Sequence, residues 1–198
     1  MKTISFVILI FVSFYSCKEE IKATPKPKPI AQKEVKTIDL DTIKMTNGFD
    51  FPVGKPDAKG YYNAQPFQTN DHLGDDWNAT TGGNTDLGDP IYAIANGYVT
   101  FAKDVEGGWG NVIRITHYID KDTQVESLYA HCLEVNVKPG DYVQKGDTIA
   151  TIGNNDGMYL AHLHLEIRST LELPIGGGYS SDPTGFLDPT AFIKKHRE

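Results

Sequence analysis

Two histidines lie one residue apart in LAHLHLEIR, residues 160–168, where apolar and polar side chains alternate. This alternation predicts a β-strand, in which residues two apart project from the same face. His162 and His164 would then lie side by side with Glu166 and Arg168, and the intervening apolar residues would pack into the core. Paired imidazoles on one strand face indicate either a packed polar surface or a metal site.

A second candidate group lies upstream in NDHLGDDW, a turn-rich stretch that contains His72 and Asp76. Alone, such a pair is typical of surface polarity. Catalytic zinc commonly takes three protein ligands from His and Asp or Glu and leaves a fourth position for water. His72 and Asp76 would supply two of these ligands. One of His162 or His164 would supply the third, and the other histidine could then move a proton or stabilise an oxyanion. His131 could provide a second group of this kind.

The segments around these residues predict short β-strands separated by turns. Asn96-Gly97 in IYAIANGYVTFA predicts a hairpin, and VESLYAHCL places Tyr129 and His131 on one strand face. Helical periodicity is absent until PTAFIKKH near the C-terminus. We therefore predict a mostly β fold, a single domain of antiparallel β-sheet with an open groove, over residues 46–198.

The N-terminus predicts export. Residues 1–16 have Lys2 before an apolar run that is too short for a comfortable transmembrane helix. Cys17 follows the small Ser16 and resembles the lipidated residue of bacterial lipoproteins; the alternative is an ordinary signal peptide with an incidental cysteine. Residues 17–45 are rich in Lys, Glu, Pro and Thr, which predicts a disordered tether. We expect a cell-envelope lipoprotein that meets the membrane only through its N-terminal lipid and faces the periplasm or the outer surface.

Charge and cysteine content exclude other classes. The 198-residue chain has a net charge of -7 and no Lys/Arg cluster, which argues against nucleic acid as a partner. Cys132 is the only other cysteine, so no internal disulfide can form if Cys17 carries lipid. We predict that Cys132 is a small packed residue beside His131, with a fourth metal ligand as the alternative.

The motifs together resemble those of lysostaphin-like (LytM-type) zinc metallopeptidases. H-x-x-x-D at 72–76 is followed by GDPIYAIANGYV, GWGNVIRITH, Y-x-H at 129–131, VKPGDYVQKGDTIATIG and H-L-H at 162–164, in the order of that family. The resemblance covers about residues 66–168.

The resemblance implies a zinc-dependent endopeptidase that hydrolyses peptide bonds in the cross-links or stem peptides of bacterial peptidoglycan. It implies three Zn²⁺ ligands, which are His72, Asp76 and His164, and two catalytic histidines that are not ligands, which are His131 and His162. Asp75 would replace Asp76 only if the loop register differed by one residue. The following NATTGGNTDL is longer than the usual spacing in the family and predicts a loop at the groove rim.

Two other function classes remain open. A catalytically inactive member of the same fold would activate another cell-wall hydrolase, although every implied ligand and histidine is present here. VKPGDYVQKGDTIATIG also resembles the half-motif of lipoyl and biotinyl carrier domains. The second half-motif, which carries the modifiable lysine, is missing.

For several residues near the motifs, the sequence allows either a structural or a functional role. His117 is outside every motif and is predicted to lie on the surface. Tyr129 either holds a catalytic histidine or packs, and Trp109 either lines the groove or caps the core. Glu166 and Arg168 are predicted to be solvated by default, with pairing to each other and orientation of the neighbouring histidine as the alternative.

Overall fold

Residues 43–197, the part of the chain that the computed structural model describes, contain ten β-strands, one short α-helix and two short helical turns at Gly54–Ala58 and Thr69–Asp71. The strands are β1 Tyr61–Gln65, β2 Asp75–Ala79, β3 Pro90–Tyr92, β4 Gly97–Asp104, β5 Asn111–Tyr118, β6 Gln124–Val135, β7 Tyr142–Val143, β8 Thr148–Ile152, β9 Leu163–Arg168 and β10 Phe186–Leu187. Helix α1 is Pro189–Lys195. The predicted export signal, the proposed lipidation site Cys17 and most of the predicted tether lie outside the described residues. Within residues 43–197, no helix is long and apolar enough to cross a membrane.

The strands form one antiparallel sheet in the order β1-β2-β9-β6-β5-β4-β7. β10 pairs with β9, and β3 pairs with β8, which also pairs with β6. The predicted mostly β, antiparallel fold is therefore confirmed. Strand β9, which begins directly after His162 and contains His164, is central, because β2 and β6 flank it on its two sides.

The predicted hairpin at Asn96-Gly97 is wrong. β3 ends at Tyr92 and pairs with β8, whereas β4 pairs with β5 and β7. A Cβ at Gly97 would lie 2.6 Å from the carbonyl oxygen of Thr116 and 2.7 Å from Nδ1 of His117. Gly97 is thus required for the close approach of β4 to β5, and Asn96 accepts a hydrogen bond from Lys145 N through its side chain.

The hairpin of β5 and β6 buries a polar cluster, and the surface prediction for His117 is wrong. The His117 side chain has no exposed surface, its Nδ1 lies 3.0 Å from the Asn96 carbonyl oxygen, and its Nε2 lies 2.7 Å from Ser127 Oγ. The Tyr129 hydroxyl accepts from Ile94 N at 3.0 Å and from Ser127 Oγ at 3.2 Å. Of the two predicted roles of Tyr129, these contacts correspond to packing.

The prediction that Glu166 and Arg168 are solvated is also wrong. All six residues of β9 are buried, so its polar face is covered as completely as its apolar face. The cover is the chain after β9, since Arg168 donates to the carbonyl oxygens of Leu173, Pro174 and Ile175. The Cys132 thiol is free and buried, so its predicted packing is confirmed.

Candidate metal centre and groove

Three donor atoms from two chain segments meet beside β9. The pairing of β2 with β9 places Asp76 directly opposite His164, and Asp76 Oδ1 lies 2.9 Å from His164 Nδ1. His72 comes from the turn before β2, and its Nε2 lies 3.0 Å from His164 Nδ1 and 3.4 Å from Asp76 Oδ1. Both imidazoles are buried. A long-range strand pairing therefore brings together residues that are 92 positions apart.

The triangle of donor atoms has the size of one face of a zinc tetrahedron. Zinc to nitrogen or oxygen distances of about 2.0 to 2.1 Å place tetrahedral ligand atoms roughly 3.3 Å apart. The observed edges of 2.9, 3.0 and 3.4 Å are close to this value. Among residues 43–197, His72, Asp76 and His164 form a group whose donor atoms all lie within 4.8 Å of one another.

The second nitrogen of each imidazole has an oxygen partner. His72 Nδ1 lies 3.1 Å from the Gln65 carbonyl oxygen, and His164 Nε2 lies 3.2 Å from Glu166 Oε1. Such acceptors hold a proton on the outer nitrogen and leave the lone pair of the inner nitrogen for a metal. The inner nitrogens of the two imidazoles and the Asp76 carboxylate then direct three electron pairs to one place. Such an arrangement is suited to binding a cation.

The electrostatic environment of this place favours positive charge. Burial would lower the pKa of His164, but hydrogen bonds to Asp76 and Glu166 and the charges of both carboxylates raise this pKa to about 9. Burial would raise the pKa of Asp76, but the hydrogen bonds and charges of His164 and His72 hold this pKa below its ordinary value. A field that stabilises a proton on His164 also stabilises a metal ion at the same position.

Asp75 points away from this group. It has no exposed surface, accepts from Phe67 N at 3.0 Å, and accepts from the Thr190 hydroxyl at 2.6 Å. Burial raises the pKa of its carboxyl group. Because adjacent strand residues face opposite sides, the register of β2 brings Asp76 to the histidines and leaves Asp75 as a link between β2 and helix α1.

Two further histidines lie beside the three donors. His162 Nδ1 lies 2.8 Å from the Leu160 carbonyl oxygen, and its Nε2 lies 4.0 Å from Asp76 Oδ1. The His131 ring centroid is 4.7 Å from that of His162 and 5.9 Å from that of His164. Burial, and then the charges of His162 and His164, lower the pKa of His131 to about 3. His131 is therefore neutral at pH 7.

The backbone at His131 is strained. Its φ of 59° lies in the left-handed region, which residues other than glycine rarely occupy. The pairing of β6 with β8 is also irregular just after it, between Cys132 and Val135. Its buried Nδ1 has no hydrogen-bond partner. Strain of this kind and unpaired buried groups cluster at functional sites, where the surrounding structure imposes them.

The five side chains line a groove of about 660 Å³. Trp109 lies in its wall with its ring centroid 5.4 Å from that of His164, and its ring is stacked near His131. The same indole packs against a small apolar cluster that includes Leu128. Trp109 therefore combines its two predicted roles.

Sequence reasoning missed a second segment of the groove wall, which adjoins Trp109. Gly177, Gly178 and Tyr179 lie there, and the Tyr179 ring centroid is 5.1 Å from that of His72. The run GGGY is a sequence signal for a close approach of backbone to a site, but its distance from the motifs hid it. The predicted rim loop after Asp76 lies beside the H-x-H segment, since Asn84 Oδ1 accepts from Ala161 N at 2.7 Å.

Comparison with known proteins gives a consistent result. The sequence model of peptidase family M23 matches residues 71–181. The lipoprotein NlpD of Yersinia enterocolitica is 41% identical over 81 residues, which are 41% of this chain and 78% of that protein. The murein hydrolase activator NlpD of Salmonella dublin is 28% identical over 158 residues, with coverage of 74% of this chain and 38% of that protein.

Lysostaphin is similar in both sequence and structure. Lysostaphin of Staphylococcus staphylolyticus is 31% identical over 113 residues, which are 54% of this chain and 21% of that protein. A solution structure of lysostaphin superposes with a TM-score of 0.50 and 25% identity, and the match covers 68% of this chain and 49% of that one. The chain thus spans less than half the length of lysostaphin and of the Salmonella protein.

Proposed function

Because the chain belongs to peptidase family M23, we propose that it is a zinc-dependent endopeptidase that cleaves peptide bonds in peptidoglycan cross-links or stem peptides. The observation that carries this proposal is the convergence of three metal donors, with two non-ligand histidines beside them, in one open groove. Carboxylate and imidazole donors with an open side are typical of catalytic rather than structural zinc.

His72 Nε2, Asp76 Oδ1 and His164 Nδ1 would hold the ion. Zinc bound there would polarise the scissile carbonyl and lower the pKa of a water molecule. The side chains of the protein itself would supply the other contributions to the reaction. Asp76 supplies the negative charge that offsets the cation, and the outer hydrogen bonds of the two histidines keep their lone pairs directed inward.

His162 is suited to move the proton. The Leu160 carbonyl accepts from Nδ1–H, so the lone pair of Nε2 is free on the side of the ring that faces Asp76. Nε2 could take a proton from the attacking water and deliver it to the leaving amine. His131 is neutral and lies next to His162, so its N–H could donate to the oxygen that becomes negative in the transition state.

A second candidate is an activator of another cell-wall hydrolase. The similarity to the Salmonella protein, which is named a murein hydrolase activator, favours it. If this chain is such an activator, its partner is that hydrolase, and its own groove does not have to cleave peptide bonds. The complete set of five groove residues supports the peptidase instead, because an activator gains nothing from keeping two histidines poised for proton transfer beside a metal site.

Metal content and cleavage, measured together, test the proposal. The full chain should bind one zinc ion and release peptide fragments from purified peptidoglycan, which mass analysis would identify. His164→Ala should lose zinc and cleavage together. His162→Ala should keep zinc and lose turnover, and His196→Ala, which changes the histidine that caps the C-terminus of helix α1, serves as the control.

Each alternative has a distinct result. Stoichiometric zinc in the wild-type chain without cleavage of any peptidoglycan would favour the activator. Loss of zinc in His162→Ala with retention of zinc in His164→Ala would show that His162 is the zinc ligand and His164 the catalytic histidine, the reverse of the proposal.

A further inference from the structure

A chain of buried charges leads away from His164 along the polar face of β9. Glu166 Oε1 accepts from His164 Nε2, and Glu166 Oε2 accepts from Arg168 Nε at 2.7 Å and from Arg168 Nη2 at 2.6 Å. Neither the Glu166 nor the Arg168 side chain has exposed surface. A buried fork of this kind fixes both side chains, because any rotation would leave a charge without a partner in a region of low dielectric constant.

The same guanidinium holds a segment of the groove wall. We call residues 173–180 the strap. Arg168 Nη1 donates to the Leu173 carbonyl oxygen at 3.1 Å, and Nη2 donates to that of Ile175 at 3.3 Å. Arg114 Nη2 also donates to the Leu173 carbonyl oxygen, at 2.9 Å. Backbone carbonyls rather than side chains are bound, so the path of the strap is fixed directly.

The other end of the strap is tied beside His72. Leu73 N donates to the Gly178 carbonyl oxygen at 2.9 Å, and Tyr179 pairs with His72 in an isolated β-bridge. Between the two ends, Trp109 Nε1 donates to the Gly176 carbonyl oxygen at 3.0 Å. One end of the strap is therefore bound to Arg168, which contacts His164 through Glu166, and the other end is bound beside His72. The residues between the two ends form part of the groove wall.

We propose that Arg168 is a positioning residue that couples the metal centre to the groove wall. Through Glu166 it orients His164, and through the strap carbonyls it sets the wall against which a substrate would lie. This inference rests on the proposed zinc site. Because Arg168 has to satisfy both sets of partners at once, a displaced strap alters the orientation of His164, and a displaced His164 alters the strap. Coupling of this kind is reciprocal, so zinc binding should also order the strap.

Three variants of the full chain separate the two branches of the network. Arg168→Lys keeps the charge but loses the planar fork. Glu166→Gln keeps the shape of the link to His164 but removes its charge. Arg114→Lys is the matched control, because Arg114 binds the strap and Glu126 but has no hydrogen bond to Glu166.

Zinc affinity, measured by competition with a chelator, and the visible spectrum of the Co²⁺-loaded chain report on the metal centre without any turnover. Arg168→Lys should weaken zinc binding by up to the roughly 10- to 100-fold that is usual when the direct hydrogen-bond partner of a ligand, here Glu166, is lost. It should also shift the Co²⁺ spectrum and raise KM more than it lowers kcat. Glu166→Gln should weaken zinc binding with a smaller change in KM. Arg114→Lys should raise KM but weaken zinc binding and shift the Co²⁺ spectrum less than Arg168→Lys does, because Arg114 reaches the metal centre only through the strap.

Wild-type zinc affinity and an unchanged Co²⁺ spectrum in Arg168→Lys would overturn the inference. If Arg168→Lys fails to fold, as circular dichroism would reveal, the near-isosteric Glu166→Gln decides the question by its KM. Weakened zinc binding with an unchanged KM would show that the metal centre is not coupled to the strap. A wild-type chain that binds zinc tightly while neither variant weakens it would refute only the coupling. A wild-type chain that binds no zinc would refute the proposed function as well.

Discussion

Acid should destabilise this protein through one buried histidine far from the groove motifs. His117 has no exposed surface, and its two ring nitrogens contact the Asn96 carbonyl oxygen and Ser127 Oγ. Burial lowers the pKa of His117 from 6.5 to about 4, and the hydrogen bond to Asn96 only partly opposes this shift. The folded state therefore resists the proton that the unfolded chain accepts readily.

The sign and size of the effect follow from this difference in pKa. Above pH 6.5 the imidazole is neutral in both states, so the pKa difference has no effect on stability. As the pH falls from 6.5 towards 4, the unfolded chain binds the proton first, and the free energy of unfolding decreases. At about 1.36 kcal/mol per pKa unit, the loss attributable to His117 between pH 8 and pH 5 is roughly 2 kcal/mol.

Urea unfolding of the metal-free chain at pH 8 and pH 5 measures this loss. His117→Gln keeps polar groups for the two hydrogen bonds but cannot become charged. It should be less stable than wild type at pH 8, and this deficit should shrink by about 2 kcal/mol at pH 5. All other titrating groups are common to both proteins and cancel in the comparison.

Tyr129→Phe is the control, because it removes a buried hydroxyl from the same cluster and no group that titrates between pH 5 and pH 8. Its deficit relative to wild type should be equal at both pH values. A deficit of His117→Gln that is also equal at both pH values would refute the reasoning.

Two further perturbations test the close packing of the candidate metal centre and the predicted N-terminal lipid anchor. A Cβ in Gly74→Ala would collide with the Leu165 carbonyl oxygen and lie 2.9 Å from Cε1 of His164, so we expect lower thermal stability and weaker zinc binding. Gly177→Ala, where a Cβ meets open space, should change neither, and equal behaviour of the two variants would contradict the packing argument. Cys17→Ala should move the protein from the membrane fraction to the soluble fraction of cells, and retention in the membrane fraction would count against lipidation at Cys17.

Local periodicity predicted several elements correctly, because the alternation of apolar and polar residues within a segment is itself the signal for a strand. The alternation in LHLEIR is present as strand β9, and PTAFIKKH contains helix α1. Alternation shows which residues share a face, but it does not show what covers that face. The cover of Glu166 and Arg168 comes from the strap, which follows β9 in the chain and has no periodic signal of its own. Solvated residues were therefore predicted where buried ones occur.

The two wrong predictions near β4 have a common origin. Asn-Gly between apolar runs favours a tight hairpin locally, but β3 finds a better partner in β8. Gly97 is instead needed because β5 and the His117 ring approach it closely. A long-range contact thus explains both the failed hairpin at Asn96-Gly97 and the burial of His117. Neither could be read from a window of sequence.

In the candidate site, too, local sequence pattern predicts some features and long-range contacts decide the others. The H-x-H spacing predicted that two imidazoles belong together, and the ligand preference of zinc suggested that one of them joins His72 and Asp76. Only family resemblance named His164 as that ligand, and the contact itself depends on the pairing of β2 with β9. That pairing also turns Asp76, and not Asp75, towards the histidines, since one step of register exchanges their faces. Local spacing therefore identifies candidate ligands, and strand register decides which of them can meet.

Protein contacts, rather than metal, hold the candidate ligands in place. Asp76 is fixed by the ladder of β2 with β9, His164 by Glu166, and His72 by the Gln65 carbonyl oxygen. Since these ties persist whatever occupies the site, the order that binding adds would be confined to the strap, and little of the binding free energy would be spent on folding. Loss of Asp76 or either histidine should then remove zinc from a folded protein. Substitutions at these positions can thus report on metal chemistry without the confounding effect of a collapsed fold.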